Sequence, residues 1–325
     1  MATYKEIHGT NIEVLASDPS NPIEGQIWYN STSDVLKGEA TTAAGAWATV
    51  NSMNTARDQV GSSGSQTAAL CFGGTTGSVS ALNESYNGTN WTEVGDLNTA
   101  RRFIGGAGTQ PSTLAYGGVP TTGATESYNG TNWTEVADLN TARGYFGSAG
   151  ANNTASLAFG GEVPDRTITE LWNGSAWTEV NNMNTGRQQL PGAGTSTSGI
   201  AISGASDTGA TIVANAETWN GTNWTEVADL NVGRIDLGGA GVQTSALGFG
   251  GANPGGNPAL ATNEEWNGSS WTEVADLNTA RRQVGGAGTT TAGLAFAGEA
   301  PGGVTAVTEA WTGAGAAVTR TFTDT

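Results

Sequence analysis

The sequence predicts an all-β chain, a six-bladed β-propeller of four-stranded antiparallel blades with a small N-terminal β-hairpin segment. Three observations carry that expectation. A Trp-centred phrase recurs six times at the length of one blade, an Asn-Gly turn signal keeps a fixed place in five repeats, and no stretch holds a helical period. Composition agrees: 50 of 325 residues are glycine and charged residues make up only 13%. Both values depart from ordinary usage, roughly 7% and ~25%, in the direction of close backbone packing and away from a charged helical surface.

Residues 1–46 stand outside the repeat. Gln26 to Tyr29 forms an apolar-aromatic run, a polar turn follows, and Val35-Leu36-Lys37-Gly38 completes a small hairpin. From Trp47 onward the phrase W-x-x-V begins at Trp47, Trp91, Trp133, Trp177, Trp224 and Trp271, spaced by 44, 42, 44, 47 and 47 residues. An arginine follows each Trp by ten residues: Arg57, Arg101, Arg143, Arg187, Arg234 and Arg281. A small-residue stretch then ends in Gly73-Gly74, Gly117-Gly118, Gly160-Gly161 and Gly250-Gly251, weakened to Ser203-Gly204 and Ala297-Gly298 in two copies. Next comes Glu-x-Tyr/Trp, at Glu84, Glu126, Glu170, Glu217, Glu264 and Glu309, seven residues before the following Trp; Ala316 breaks the last match.

Each repeat supplies four strands. In the third copy they are a Gly- and Ala-rich run from Arg143 to Gly150, then TASLAFGG, TITELWN and WTEVNNM. The last two alternate with period two, as half-buried strands do. Asn-Gly, as at Asn87-Gly88 and Asn129-Gly130, is read as a tight hairpin in which both residues accept φ > 0. Six such meanders bury their faces against one another, and radial closure leaves no long free edge. The chain offers a fourth-strand phrase before its first complete blade and lacks one after its last. Strand 47–50 is therefore expected beside residues 305–312, which closes a ring over 47–316 and leaves 317–325 as a tail. The competing reading makes AAVTRTF the missing strand.

Net charge is −17, so a phosphate backbone or anionic membrane would be repelled; nucleic-acid partners and membrane insertion are not expected. One cysteine, Cys71, and one histidine, His8, exclude a disulfide framework and a His/Cys metal centre within one chain. No cofactor is expected. The N-terminus shows no basic region followed by an apolar run, so no signal peptide is read. The N-G-T strings fit hairpin chemistry better than a glycosylation role, and Asp96, Asp138, Asp229 and Asp276 in D-L-N read as turn caps rather than calcium ligands.

The six Arg and six Glu recur in every copy, which argues that they hold blades together through charge-assisted bonds rather than form a ligand ring. The connection between second and third strands varies instead: 75–83, 119–125, 162–169, 205–216, 252–263 and 299–308. These emerge on one face and make the candidate binding surface, with Asp165, Arg166, Asp207, Asn253 and Asn257 as its exposed polar candidates.

The Gly-Gly pair, the later aromatic, the Trp and the Arg that opens the next unit resemble the kelch repeat over about residues 47–316. Residues 1–46, together with the N-G-T-x-W-T-E-V wording, are similar to tail-fibre-like virion proteins of marine bacteriophages. That resemblance implies a non-enzymatic virion protein, a tail-fibre or decoration-type adhesion module. It would be made in the host cytoplasm and attached to other virion proteins through 1–46. It would be present as several copies or a homo-oligomer, with its loop face toward a host glycan or protein. The alternative is a carbohydrate-active or other propeller enzyme using loop carboxylates such as Glu162, Asp165, Asp207 and Glu299. An Asp-box turn is not matched, since ASDTGATI at 205–212 lacks the leading Ser/Thr and the final aromatic.

Overall fold

A computed structural model describes residues 12–20, 26–41, 44–206, 211–253, 258–315 and 317–322. Two compact units divide the chain: Ala46–Thr312, and Met1–Gly45 with Gly313–Thr325. Among the described residues all regular structure is strand, and no helix is long and apolar enough to cross a membrane.

The larger unit contains six four-stranded antiparallel sheets. Sheet one runs Gly61–Ser65, Ala68–Phe72, Asn83–Tyr86, Trp91–Val94, from inside to outside. Sheets two to five repeat the pattern from Gly105, Gly147, Gly192 and Gly238. Sheet six takes Gly285–Gly288, Ala292–Phe296 and Thr308–Thr312, and its outermost strand is Ala46–Val50, with Trp47 opposite Trp311 and Thr49 opposite Glu309. Each innermost strand neighbours those of the sheets before and after it, and the first neighbours the sixth, so the cycle is closed. This is a β-propeller. Two small sheets accompany the six: Arg187–Gln188 with Ala205–Ser206 and Thr211–Ile212, and Glu299–Ala300 with Gly303–Val304.

Glycine is required where the innermost strands converge. A Cβ on Gly106 would lie 2.2 Å from the Ser62 carbonyl oxygen of the neighbouring sheet, well inside contact distance. Farther out the wedge between sheets widens and aromatic rings fill it. Trp91 packs edge-on against Phe296 of the preceding sheet at 5.0 Å, Trp133 against Phe72, Trp224 against Phe159 and Trp47 against Phe249. All six repeat Trp are buried, and four of their indole N–H groups donate to the preceding sheet or its edge, as Trp224 does to Thr169 Oγ1 at 3.0 Å.

Several sequence expectations are corrected here. The first strand of the third repeat begins at Gly147, not Arg143, because the Arg143 side chain turns into the sheet and Tyr145 takes a left-handed backbone that a strand cannot hold. In the Asn-Gly hairpins only the glycine has positive φ, +88° at Gly88. Asn87 instead accepts the N–H groups of Thr89 and Asn90 on its Oδ1, making a four-residue turn. Within the expected tail, residues 317–322 of AAVTRTF form a strand, which is not the outer strand of sheet six; 316 and 323–325 lie outside the described residues. Ala317–Phe322 pairs antiparallel with Val35–Thr41, Leu36 opposite Phe322, where it covers an edge that would otherwise be open. The larger unit accordingly ends at Thr312.

The smaller unit exceeds a hairpin. Ile27–Asn30 and Val35–Thr41 are antiparallel, and Glu13–Leu15 lies parallel to the former. Asp18 gathers Trp28 Nε1, Asn30 Nδ2 and Lys37 Nζ, the last at 2.7 Å. Those bonds, Lys37 foremost, hold its carboxyl down at about 2.

Candidate functional site

The recurring charges are internal. Arg143 Nη1 donates to the carbonyls of Gly160 (3.1 Å) and Ile168 (2.9 Å), and Nη2 to Glu170 Oε1 at 2.6 Å. Glu170 also accepts the N–H groups of Asn140 and Thr141 and the Asn140 amide. The same pairing joins Arg57 to Glu84, Arg101 to Glu126, Arg187 to Glu217, Arg234 to Glu264 and Arg281 to Glu309, at 2.7 to 3.1 Å. Each clamp ties the segment entering a sheet to that sheet's second and third strands. Burial lowers the pKa of Arg101, Arg143, Arg187, Arg234 and Arg281, and the partner glutamate opposes it. The arginines are fully buried, which leaves them unable to meet a ligand.

Two residues after each arginine the chain does something different. Gln59, Phe103, Tyr145, Gln189, Asp236 and Gln283 all have positive φ, between 50° and 58°. Their backbones are linked around the axis. Phe103 N–H donates to the Gln59 carbonyl (2.8 Å), Gln189 to Tyr145 (2.7 Å), Asp236 to Gln189 (3.1 Å), Gln283 to Asp236 (2.6 Å) and Gln59 to Gln283 (3.2 Å). Left-handed backbone costs a non-glycine residue about 1–2 kcal/mol, and a bulky aromatic is a true outlier there.

These six residues line one end of an axial cavity of about 220 Å³, whose walls are the glycines, alanines and serines of the innermost strands. The residue just before each of them bonds to the start of the variable connection: Asp58 with Thr75, Arg102 with Val119, Gly144 with Glu162, Gln188 with Ala205, Ile235 with Ala252 and Arg282 with Glu299. All six connections therefore leave beside this mouth.

The side chains sort into two arcs. Phe103 and Tyr145 stack with ring centroids 3.8 Å apart, and Arg102 lies over Phe103. On the other side Arg102 Nη1 donates to Gln59 Oε1, Gln59 Nε2 to Gln283 Oε1, and the amides of Gln283 and Gln189 to the Asp236 carboxylate. Burial pushes Asp236 up to about 6 against the pull of those two amides. Asp58 beside it is also raised to about 6, chiefly by burial and then by Glu299, and its Oδ1 is buried without a hydrogen-bond partner. Arg282 is paired with Glu299 at 2.6 Å.

Among the loop candidates, Asp165 is exposed and accepts the Thr167 hydroxyl and then the Thr167 N–H within its own connection, which keeps its carboxyl below the usual range. Arg166 Nε donates to Gln188 Oε1 at 3.3 Å, and Asn253 is half-buried on a different connection. Asp207 and Asn257 lie outside the described residues. Cys71 is buried in a second strand, and burial pushes its thiol up to about 12. Among the described residues no group of three His, Cys, Asp or Glu side chains is placed to hold a metal ion.

No family profile matches the chain, and no curated protein matches it in sequence. Among solved structures it is similar to that of YjhT, with a TM-score of 0.65 and 11% identity over 80% of this chain and 96% of that one. At that identity the likeness concerns the fold alone, and it agrees with a β-propeller.

Proposed function

We propose that the chain is a six-bladed, kelch-like propeller acting as a non-enzymatic bacteriophage virion protein, a tail-fibre or decoration-type adhesion module. The observation that carries this reading is the division between constant and variable positions. Trp, Arg and Glu recur in every sheet and are buried, whereas the connections on one face differ from sheet to sheet and the mouth position beside them changes among Gln, Phe, Tyr and Asp. A scaffold that is constant inside and variable on one face suits recognition. The virion assignment rests on the N-terminal segment and the N-G-T-x-W-T-E-V wording. Residues 1–46 attach to other virion proteins, the loop face meets a host glycan or protein, and several copies turn weak contacts into firm adhesion. Mass spectrometry and a cryo-EM map of purified particles test it. Density for the propeller on tail or capsid is expected, and particles without this chain would refute it.

One observation favours a second reading, a carbohydrate-active enzyme. Two carboxyls at the mouth, Asp58 and Asp236, both sit near 6, a range suited to proton transfer. They differ from the loop acids singled out in the sequence, of which Glu299 is engaged by Arg282 and Asp165 by its own turn. Turnover of nitrophenyl glycosides that disappears in Asp236→Asn would establish it.

A further inference from the structure

The mouth ring keeps side chains where the backbone asks for none. Its five main-chain N–H to C=O links are ones glycine would supply equally and without left-handed strain; the Gln and Asp side chains add bonds among themselves and to Arg102. At other recurring left-handed positions the chain does use glycine, as at Gly64, Gly108, Gly194, Gly241 and Gly288 near the far ends of innermost strands. At the mouth none of the six is glycine, in a sequence with 50 of them. Strain retained at one position in every sheet, by three glutamines, two aromatics and an aspartate, points to side chains held there for what they contact.

What they can contact is narrow. Phe103 is sandwiched between Tyr145 and Arg102, so the flat apolar surface this pair can offer is the outer face of Tyr145, which Phe103 backs. Gln189, Asp236, Gln283 and Gln59 form a continuous arc of amide and carboxylate groups, each with donor or acceptor capacity beyond the bonds within the arc. The nearby cations are engaged, Arg282 by Glu299 and Arg102 by Gln59 and the Phe103 ring, which disfavours an anionic ligand. The volume of about 220 Å³ is below the roughly 300 Å³ at which pockets begin to hold drug-sized molecules, so it admits a single small ring. A small, uncharged molecule with one apolar face and several hydroxyls is a pyranose. We infer that the mouth ring binds one neutral pyranose residue of a glycan, its C–H face against the outer face of Tyr145, which Phe103 holds in place, and its hydroxyls on Gln189, Asp236 and Gln283. The rest of the glycan leaves between the variable connections. This deepens the adhesion reading and rests on it for its biological setting.

Saturation-transfer NMR on the full chain tests it, with the methyl glycosides of glucose, galactose, mannose and N-acetylglucosamine as probes. At least one should give signal from its ring C–H protons. Phe103→Gly combined with Tyr145→Gly should weaken that binding at least tenfold while the melting temperature holds or rises, because glycine relieves the backbone. Thr222→Ala in an outer hairpin should change neither. Should the double glycine variant fail to fold, Phe103→Leu with Tyr145→Leu keeps the bulk, removes the flat surface and should show the same loss. Silence from all four sugars overturns the inference, as does binding that survives loss of both aromatics or a signal only with an unrelated peptide. Particle localisation reads out separately: a chain found on virions that binds no sugar sinks this inference alone.

Discussion

At the scale of single residues, the buried Arg–Glu pairs set the sharpest demand. Glu170 receives four donors: the Arg143 guanidinium, two backbone N–H groups and the Asn140 amide. Glu170→Gln keeps the shape but puts an NH₂ among donors and leaves a buried guanidinium without its counter-charge. Breaking one partner of such a pair costs about 3–5 kcal/mol, so urea unfolding should show a loss of that size. A loss under about 1 kcal/mol would mean that the pair is solvated. Asp236 works in the opposite sense. Burial lifts its carboxyl to about 6 when folded, against the ordinary 3.8 of an aspartate, so between these values the folded chain binds more protons than the unfolded one. Its contribution to stability is greatest below 3.8 and is lost as pH rises through 6. Asp236→Asn has no proton to lose. It should melt higher than the parent above pH 6, with the difference closing by pH 4; an equal difference at both pH values would show that the buried carboxyl is not responsible.

At the scale of strands and hairpins, the repeat works through Trp on the outermost strand. Trp133 fills the wedge against Phe72 and donates its indole N–H to the Gly95 carbonyl at 3.0 Å. Trp133→Ala should therefore cost about 3–5 kcal/mol in denaturant unfolding. A surface Trp would cost under about 1 kcal/mol. These strands were legible because the same residue types return at fixed offsets: Trp to Arg ten, Glu to Trp seven. The mouth ring was not, although it too keeps a fixed offset, two residues after each Arg. Three of its residues are Gln, but Phe, Tyr and Asp break the pattern; what all six share is a left-handed backbone, visible only in three dimensions. Ala317–Phe322 was missed for a related reason. A six-residue alternating run fits any open sheet edge, and only the register with Val35–Thr41 decides which one it covers.

At the scale of the whole larger unit, stability depends on a ring closed by one strand from the far end of the sequence. Ala46–Val50 supplies the outer edge of sheet six, Trp47 packs on Phe249 of sheet five, and Asn278 donates to the Trp47 carbonyl at 3.1 Å. Without this strand Thr308–Thr312 becomes an open edge, and the wedge between sheets five and six loses Trp47 from against Phe249 and Trp311. Removing residues 1–52 should lower the melting temperature sharply and promote association through that edge. Removing 1–44 together with 314–325 spares the closing strand and separates its loss from loss of the smaller unit. Calorimetry and light scattering on both deletions decide the matter. A large drop confined to the first is expected, because covering both faces of every sheet requires all six wedges at once. Equal drops would assign the stability to the smaller unit, and an unchanged first deletion would mean that five wedges suffice and that the closing strand only decorates the ring.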